Sequence, residues 1–221
     1  MILNLSPSYG KKGGDELLEK DSFKTIKSFC TFESKTQKSR FVALAYPFSN
    51  PDEFSSVQAK VKKEFYDSAH IPFAYRAGLE ENKFRFNDDG EPSGSAGKPV
   101  LDAIDKYELT NVIIFVARYF GGVKLGVGGL KRAFFDASEG CLQNANIVEK
   151  FIKKRLYITF DYKYIGSIMN YIEKNSIHIL ENSSDDIVKL LCEVRLSKAG
   201  DFEENIKNFT SGNFSLVELH H

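Results

Sequence analysis

The sequence predicts an α+β protein of two domains, the second with the ferredoxin-like order β-α-β-β-α-β. Three observations lead there. Residues 111–120 hold the clearest run of β-branched and aromatic residues in the chain, Val112, Ile113, Ile114, Phe115 and Val116, which suits a buried strand. Phe54, Val57, Val61 and Phe65 recur at steps of three and four, the stripe of an amphipathic helix. After the basic stretch 150–155 (KFIKKR), strand and helix patterns alternate with a new, shorter rhythm.

Taken in order, residues 6–21 are polar and glycine-rich and read as a mobile lead-in, 1–21 in all. Residues 23–32 and 40–47 (RFVALAYP) read as strands, the second apolar enough for burial on both faces. The polar stretch 33–39 between them reads as a turn-forming connection. Asn50 is placed to cap a helix with Pro51 at its first position, running to about Ser68. Residues 71–79 and 84–86 read as short strands and 87–97 as a long loop. Residues 98–107 form a helix with Pro99 near its start, and 111–120 the central strand. Leu130, Ala133, Phe134, Ala137, Cys141, Leu142 and Ala145 mark one face of a long helix. The first domain is thus placed at 22–150 and the second at 156–219. Within the second, strands are expected at 156–162, 177–181, 188–196 and 213–219. Its helices carry Ile165, Ile168, Met169 and Ile172, then Phe202, Ile206 and Phe209. Two helices on one face of four strands leave the other face available to a partner.

Composition narrows the function classes. The 221 residues are 42% hydrophobic and 27% charged, which excludes wholesale disorder. The 19 Phe and 10 Tyr, with no Trp, read as core filling. Basic and acidic residues balance at 30 each, with net −4 over residues 156–221 and net +4 before them. No global field draws in nucleic acid, so any RNA contact has to be local. Cys30, Cys141 and Cys192 are scattered and odd in number, which argues against disulfides or a zinc site and for a reducing, cytoplasmic location. The N-terminal apolar stretch is too short for a signal-peptide core, and the longest apolar run, 112–117, falls far below the roughly 18 residues of a membrane span. His220 and His221, a tag remnant or native, receive no role.

Two segments carry what chemistry there is. Residues 87–99 (NDDGEPSGSAGKP) combine Asp88, Asp89 and Glu91 with Ser93, Ser95 and three glycines before a helix. An anion could sit by Ser95, Gly97 and Lys98 at the helix start. A cation on the three carboxylates is the competing use, without EF-hand spacing. A rigid loop whose Asp and Ser side chains bond local amides explains the same residue types. Residues 118–132 (RYFGGVKLGVGGLKR) set Gly121, Gly122, Gly126, Gly128 and Gly129 between strand and helix. Arg118, Lys124, Lys131 and Arg132 give the stretch a charge of +4. That position and charge suit an anion or RNA phosphate, but neither the P-loop nor the dinucleotide pattern is present, so ATP and NAD are not expected. Packing of this segment on the first one, with Arg118 paired to a carboxylate, is the structural alternative. His70 precedes a strand and could approach the loops; His178 and Cys141 read as structural. No catalytic residue, metal site or cofactor is assigned.

The strings 88–99 and 118–130, supported by 38–41 (KSRF) and 70–75 (HIPFAY), closely resemble the paired signature of the YigZ/Impact family over about residues 22–148. The resemblance implies an N-terminal domain like domain 2 of ribosomal protein S5 and a ferredoxin-like C-terminal domain, together similar to the last two domains of elongation factor G. It also implies a regulatory role in translation, since eukaryotic relatives interfere with activation of an initiation-factor kinase. Some bacterial members carry a proline-peptidase label. The Ile-Pro after His70 departs from the polar or cysteine residue common there, which speaks against catalysis by His70. Two functions follow. The favoured one is a non-enzymatic translation-associated factor that contacts RNA, the ribosome or a protein partner through the glycine-rich loops. The alternative is a metal- or nucleotide-dependent hydrolase built on the acidic loop.

Overall fold

The structure is a computed structural model that describes residues 21–79 and 83–219. The lead-in before Asp21 and the two terminal histidines lie outside the described residues. The chain divides into two units, Ser22–Phe151 and a second one that holds Ile152–His221.

The first unit is organised around a five-stranded antiparallel sheet. Its strands are β2 (Cys30–Thr36), β3 (Ser39–Pro47), β4 (Phe73–Ala77), β5 (Lys83–Asn87) and β6 (Val112–Tyr119), in the order β2-β3-β6-β4-β5. Alternation sorts β3 and β6 onto two cores. Phe41, Ala43 and Ala45 of β3 and Val112, Ile114 and Val116 of β6 pack with α2 (Gly97–Lys106) and α3 (Gly126–Gln143). Val42 and Leu44, with Ile113, Phe115 and Ala117, face the other way onto Val61 of α1 (Phe54–Glu64). Both central strands are therefore buried on both faces, which is why each reads as a continuous apolar run. A separate antiparallel ribbon joins β1 (Ser22–Ile26) to β7 (Ile147–Phe151).

Several boundaries differ from expectation for physical reasons. The stretch 23–32 is two strands, and residues 33–36 extend β2, leaving only Gln37 (φ 52°) and Lys38 as the turn. As an edge strand, β2 is exposed at every second residue, so its polar side chains resemble a loop. Asn50 does cap, its Oδ1 accepting from Asp52 N at 3.0 Å, but on a single 3-10 turn, Pro51–Glu53, ahead of α1. The helix stops at Glu64 rather than about Ser68, and the chain then turns so that Ala69 N donates to Arg118 O at 2.8 Å. Strand β7 has no counterpart in the hydrophobic pattern because none of its residues is buried.

The second unit has four strands, β8 (Lys153–Asp161), β9 (His178–Ser184), β10 (Ile187–Arg195) and β11 (Phe214–Leu219), with α4 (Ile165–Lys174) and α5 (Ala199–Thr210). The order β11-β8-β10-β9, antiparallel throughout, is the ferredoxin-like arrangement. Leu156, Ile158 and Phe160, with Val188, Leu190, Cys192 and Val194, form one core with Ile168, Ile172, Phe202 and Ile206. Cys192 belongs to that core, and burial pushes its thiol up to about 11. No described helix is long and apolar enough to cross a membrane.

Candidate functional site

The two glycine-rich segments meet at the ends of β4 and β6. The join begins at His70, which bridges antiparallel to Arg118, with Arg118 N donating to His70 O at 2.9 Å. His70 Nδ1 lies 2.6 Å from Asp89 O; since a carbonyl only accepts, Nδ1 carries the hydrogen there. His70 thus ties the acidic loop to the central strand.

Inside that loop every carboxylate has a partner. Asp88 Oδ2 accepts from Gly94 N at 2.8 Å, and its Oδ1 accepts from Ala96 N at 3.0 Å and Gly97 N at 2.8 Å. These are amides at the start of α2, which has no local side-chain cap. The anion bound by this helix start is therefore the protein's own Asp88. This corrects the expectation of a ligand anion by Ser95, Gly97 and Lys98. Lys98 pairs with Asp102 one turn along the helix, and Ser95 is fully buried with its Oγ unpartnered. Gly97 is required by contact, since a Cβ would stand 2.6 Å from Asn87 O. Ser93 is exposed. Asp89, at φ 47°, takes Ile71 N on Oδ2 at 2.7 Å. Glu91 reaches across to the second segment, where its Oε1 accepts from Arg118 Nη1 at 2.6 Å. That pair is buried, with side chains 2% and 8% exposed. No group of three metal-binding side chains occurs among the described residues. The commitments of Asp88, Asp89 and Glu91 remove the observation that suggested a cation site.

The second segment is only partly a loop. Gly126, Gly128 and Gly129 are the opening turn of α3, so the connection is residues 120–125. Gly121 packs so closely on the β2–β3 turn that a Cβ would stand 1.9 Å from the Lys38 carbonyl, and its N–H donates to Ser39 Oγ at 3.2 Å. Gly122 and Gly126 hold φ of 82° and 71°, where other residues are strained. Gly128 differs, with no positive φ and nothing within 4 Å of a Cβ. Glycine there costs helix stability without any packing return, so the fold does not call for it. Lys124, Lys131 and Arg132 are exposed. Arg132 stands 3.6 Å from Asp136, whereas Lys124 and Lys131 have no carboxylate partner among the described residues.

Between the segments lies a cavity of about 530 Å³. Glu91 and Pro92 come from the first segment, and Arg118, Phe120, Lys124, Leu125, Gly126, Val127 and Leu130 from the second. Ala69 and His70 complete the wall. The lining is largely apolar, Arg118 Nε is buried without a partner, and Phe120 is 53% exposed at the mouth. No hydroxyl or thiol lines it. The chemistry available is binding: apolar walls, one buried guanidinium neutralised by Glu91, and a cationic rim. Sequence reasoning singled out the segments but missed Phe120, Val127 and Pro92 as wall residues. Their only signal was being large apolar side chains among glycines.

The Impact N-terminal domain model matches residues 37–142, and the model of a domain of unknown function, DUF1949, matches 158–213. The chain is 31% identical over 197 residues to IMPACT family member YvyE of Bacillus subtilis, covering 89% of this chain and 91% of that one. It is 25% identical over 191 residues to IMPACT family member YigZ of Escherichia coli, covering 86% and 94%. Protein IMPACT of Mus musculus matches 119 residues at 29%, covering 52% of this chain and 36% of that one. A solved structure titled as a hypothetical protein superposes with a TM-score of 0.67 at 24% identity, covering 91% and 98% of the two chains. That likeness is one of fold.

Proposed function

The chain belongs to the IMPACT family, and from that premise we propose that it is a non-enzymatic, cytoplasmic, translation-associated factor that contacts structured RNA through the rim of the cavity. The observation that carries the reading is the unpaired cationic rim. Lys124, which lines the cavity beside the uncapped first turn of α3, and Lys131 in the next turn of that helix are exposed without carboxylate partners among the described residues. In a chain with no net charge, cations left unneutralised on and after a helix start without a side-chain cap suit phosphate. Gly128 supports the same reading, because bare backbone lets a partner approach closely. The neutral total charge predicts modest affinity, with a salt dependence set by the few rim cations.

The hydrolase alternative loses its support, since the carboxylates meant to hold its metal are bound to amides and to Arg118. The test is a filter-binding titration with structured RNA at low and high salt. The proposal expects binding that weakens as salt rises, with a slope reduced by about one for each rim lysine removed. Absence of salt-sensitive binding refutes it; capture of a protein partner instead, lost in the Lys124→Glu/Arg132→Glu variant, assigns the rim to protein recognition.

A further inference from the structure

We infer that the cavity of the N-terminal unit takes one unpaired nucleotide, its base inside and its phosphate at the rim; this deepens the RNA reading above and rests on it. The charge pattern sets the ligand's outline. Deep in the cavity the Arg118 guanidinium is already neutralised by Glu91 at 2.6 Å, so the interior favours a neutral group. The other cation of the lining, Lys124, is exposed and has no carboxylate partner among the described residues, so within the cavity an anion is favoured there. The ligand is therefore apolar or aromatic inside and anionic outside.

The interior asks for one more thing. Arg118 Nε is a buried donor without an acceptor, on a side chain 8% exposed, and such groups in native structures normally find a partner. A nucleobase edge presents carbonyl and ring-nitrogen acceptors, and its flat face suits a wall made by Phe120, Leu125 and Val127. Phe120 already has the Arg118 guanidinium 5.6 Å from its ring centre and is still half exposed, so ring surface remains for stacking. At about 530 Å³ the cavity is in the range of small-molecule sites, about 300–1,000 Å³. Outside, the first turn of the 18-residue helix α3 has no side-chain cap, and Gly126 and Val127 of that turn line the cavity. Their amides and Lys124 are the donors for a phosphate. The base must be unpaired, because face and edge are both available only when it is out of a helix.

The experiment is fluorescence anisotropy on the full chain with a labelled single-stranded hexanucleotide, the same sequence within a hairpin stem, and unlabelled adenosine and uridine 5′-monophosphates as competitors. Phe120→Ala is the probe variant, since the ring is half exposed and its loss leaves the core intact; an unchanged thermal melt confirms that. The single strand is expected to bind at least about tenfold tighter than the stem, the monophosphates to compete, and Phe120→Ala to weaken both by about fivefold or more. A rise in melting temperature with the monophosphates that Phe120→Ala weakens, without RNA binding, upholds the nucleotide site and refutes the RNA reading. Salt-sensitive RNA binding that Lys124→Glu weakens and Phe120→Ala does not touch overturns the nucleotide site and leaves the RNA reading standing. Binding of neither overturns both.

Discussion

Replacing Glu91 with leucine isolates the interaction that joins the two glycine-rich segments. The variant keeps most of the side-chain volume but leaves the Arg118 guanidinium, 8% exposed in the native protein, without its carboxylate. Breaking a buried pair from one side costs about 3–5 kcal/mol, because the remaining charge has been taken out of water. For a domain of this size that corresponds to a fall in Tm on the order of 10–20 °C. Far-UV circular dichroism and tyrosine fluorescence suit the measurement, since the chain has no Trp. Urea titrations should be fitted for two units rather than one transition. Adding Arg118→Met removes the stranded charge and is expected to recover most of the loss, as buried pairs replaced by apolar side chains of like volume often do. A loss below about 1 kcal/mol in Glu91→Leu, or a double variant no better than the single one, would refute the view that this pair fastens the segments.

Three further outcomes follow from the same geometry. Gly121→Ala, which drives a Cβ into the Lys38 backbone, should destabilise by several kcal/mol, whereas Gly128→Ala, in open helical surface, should be neutral or stabilise by up to about 1 kcal/mol; calorimetry on the two variants separates packing glycines from surface ones. Asp21 is held well below the usual carboxylate range by hydrogen bonds from Arg195 and Ser197, so its stabilisation is complete above pH about 4, the unfolded value, and is lost as pH falls toward the folded one; Asp21→Asn should flatten the acid limb of a stability–pH curve and leave neutral pH less stable. Burial raises the Cys141 thiol, with its neighbour Cys30 adding to the shift, and burial alone takes Cys192 up to about 11, so at pH 8 maleimide should label half-buried Cys30 well before the other two, which react only on unfolding.

The fold was legible wherever burial imposed a period. Strands β3 and β6 announced themselves because α2 and α3 on one face and α1 on the other bury both, and the strict alternation of Val188, Leu190, Cys192 and Val194 marked the core face of β10. Strands β2 and β7 were hidden for the opposite reason, as exposed edges and ribbons carry polar residues that resemble turns. At the site, the residue types were visible but their partners were not. Asp88 looked like a ligand for a cation, yet it is the remote cap of α2, bonded to amides six, eight and nine residues ahead. No local motif encodes that reach. The alternative in which Arg118 pairs with a carboxylate and the segments pack together describes the buried core of the site, while the proposal of anion binding rests on Lys124 and the start of α3 alone.

Backbone amide chemical shifts of the ¹⁵N-labelled protein during titration with structured RNA probe the rim most directly. Shifts concentrated at Gly122, Lys124, Gly126, Val127 and Gly128, and diminished in Lys124→Glu/Arg132→Glu, are the predicted result. Perturbations confined to other surfaces, with these five amides unmoved at saturation, would contradict it.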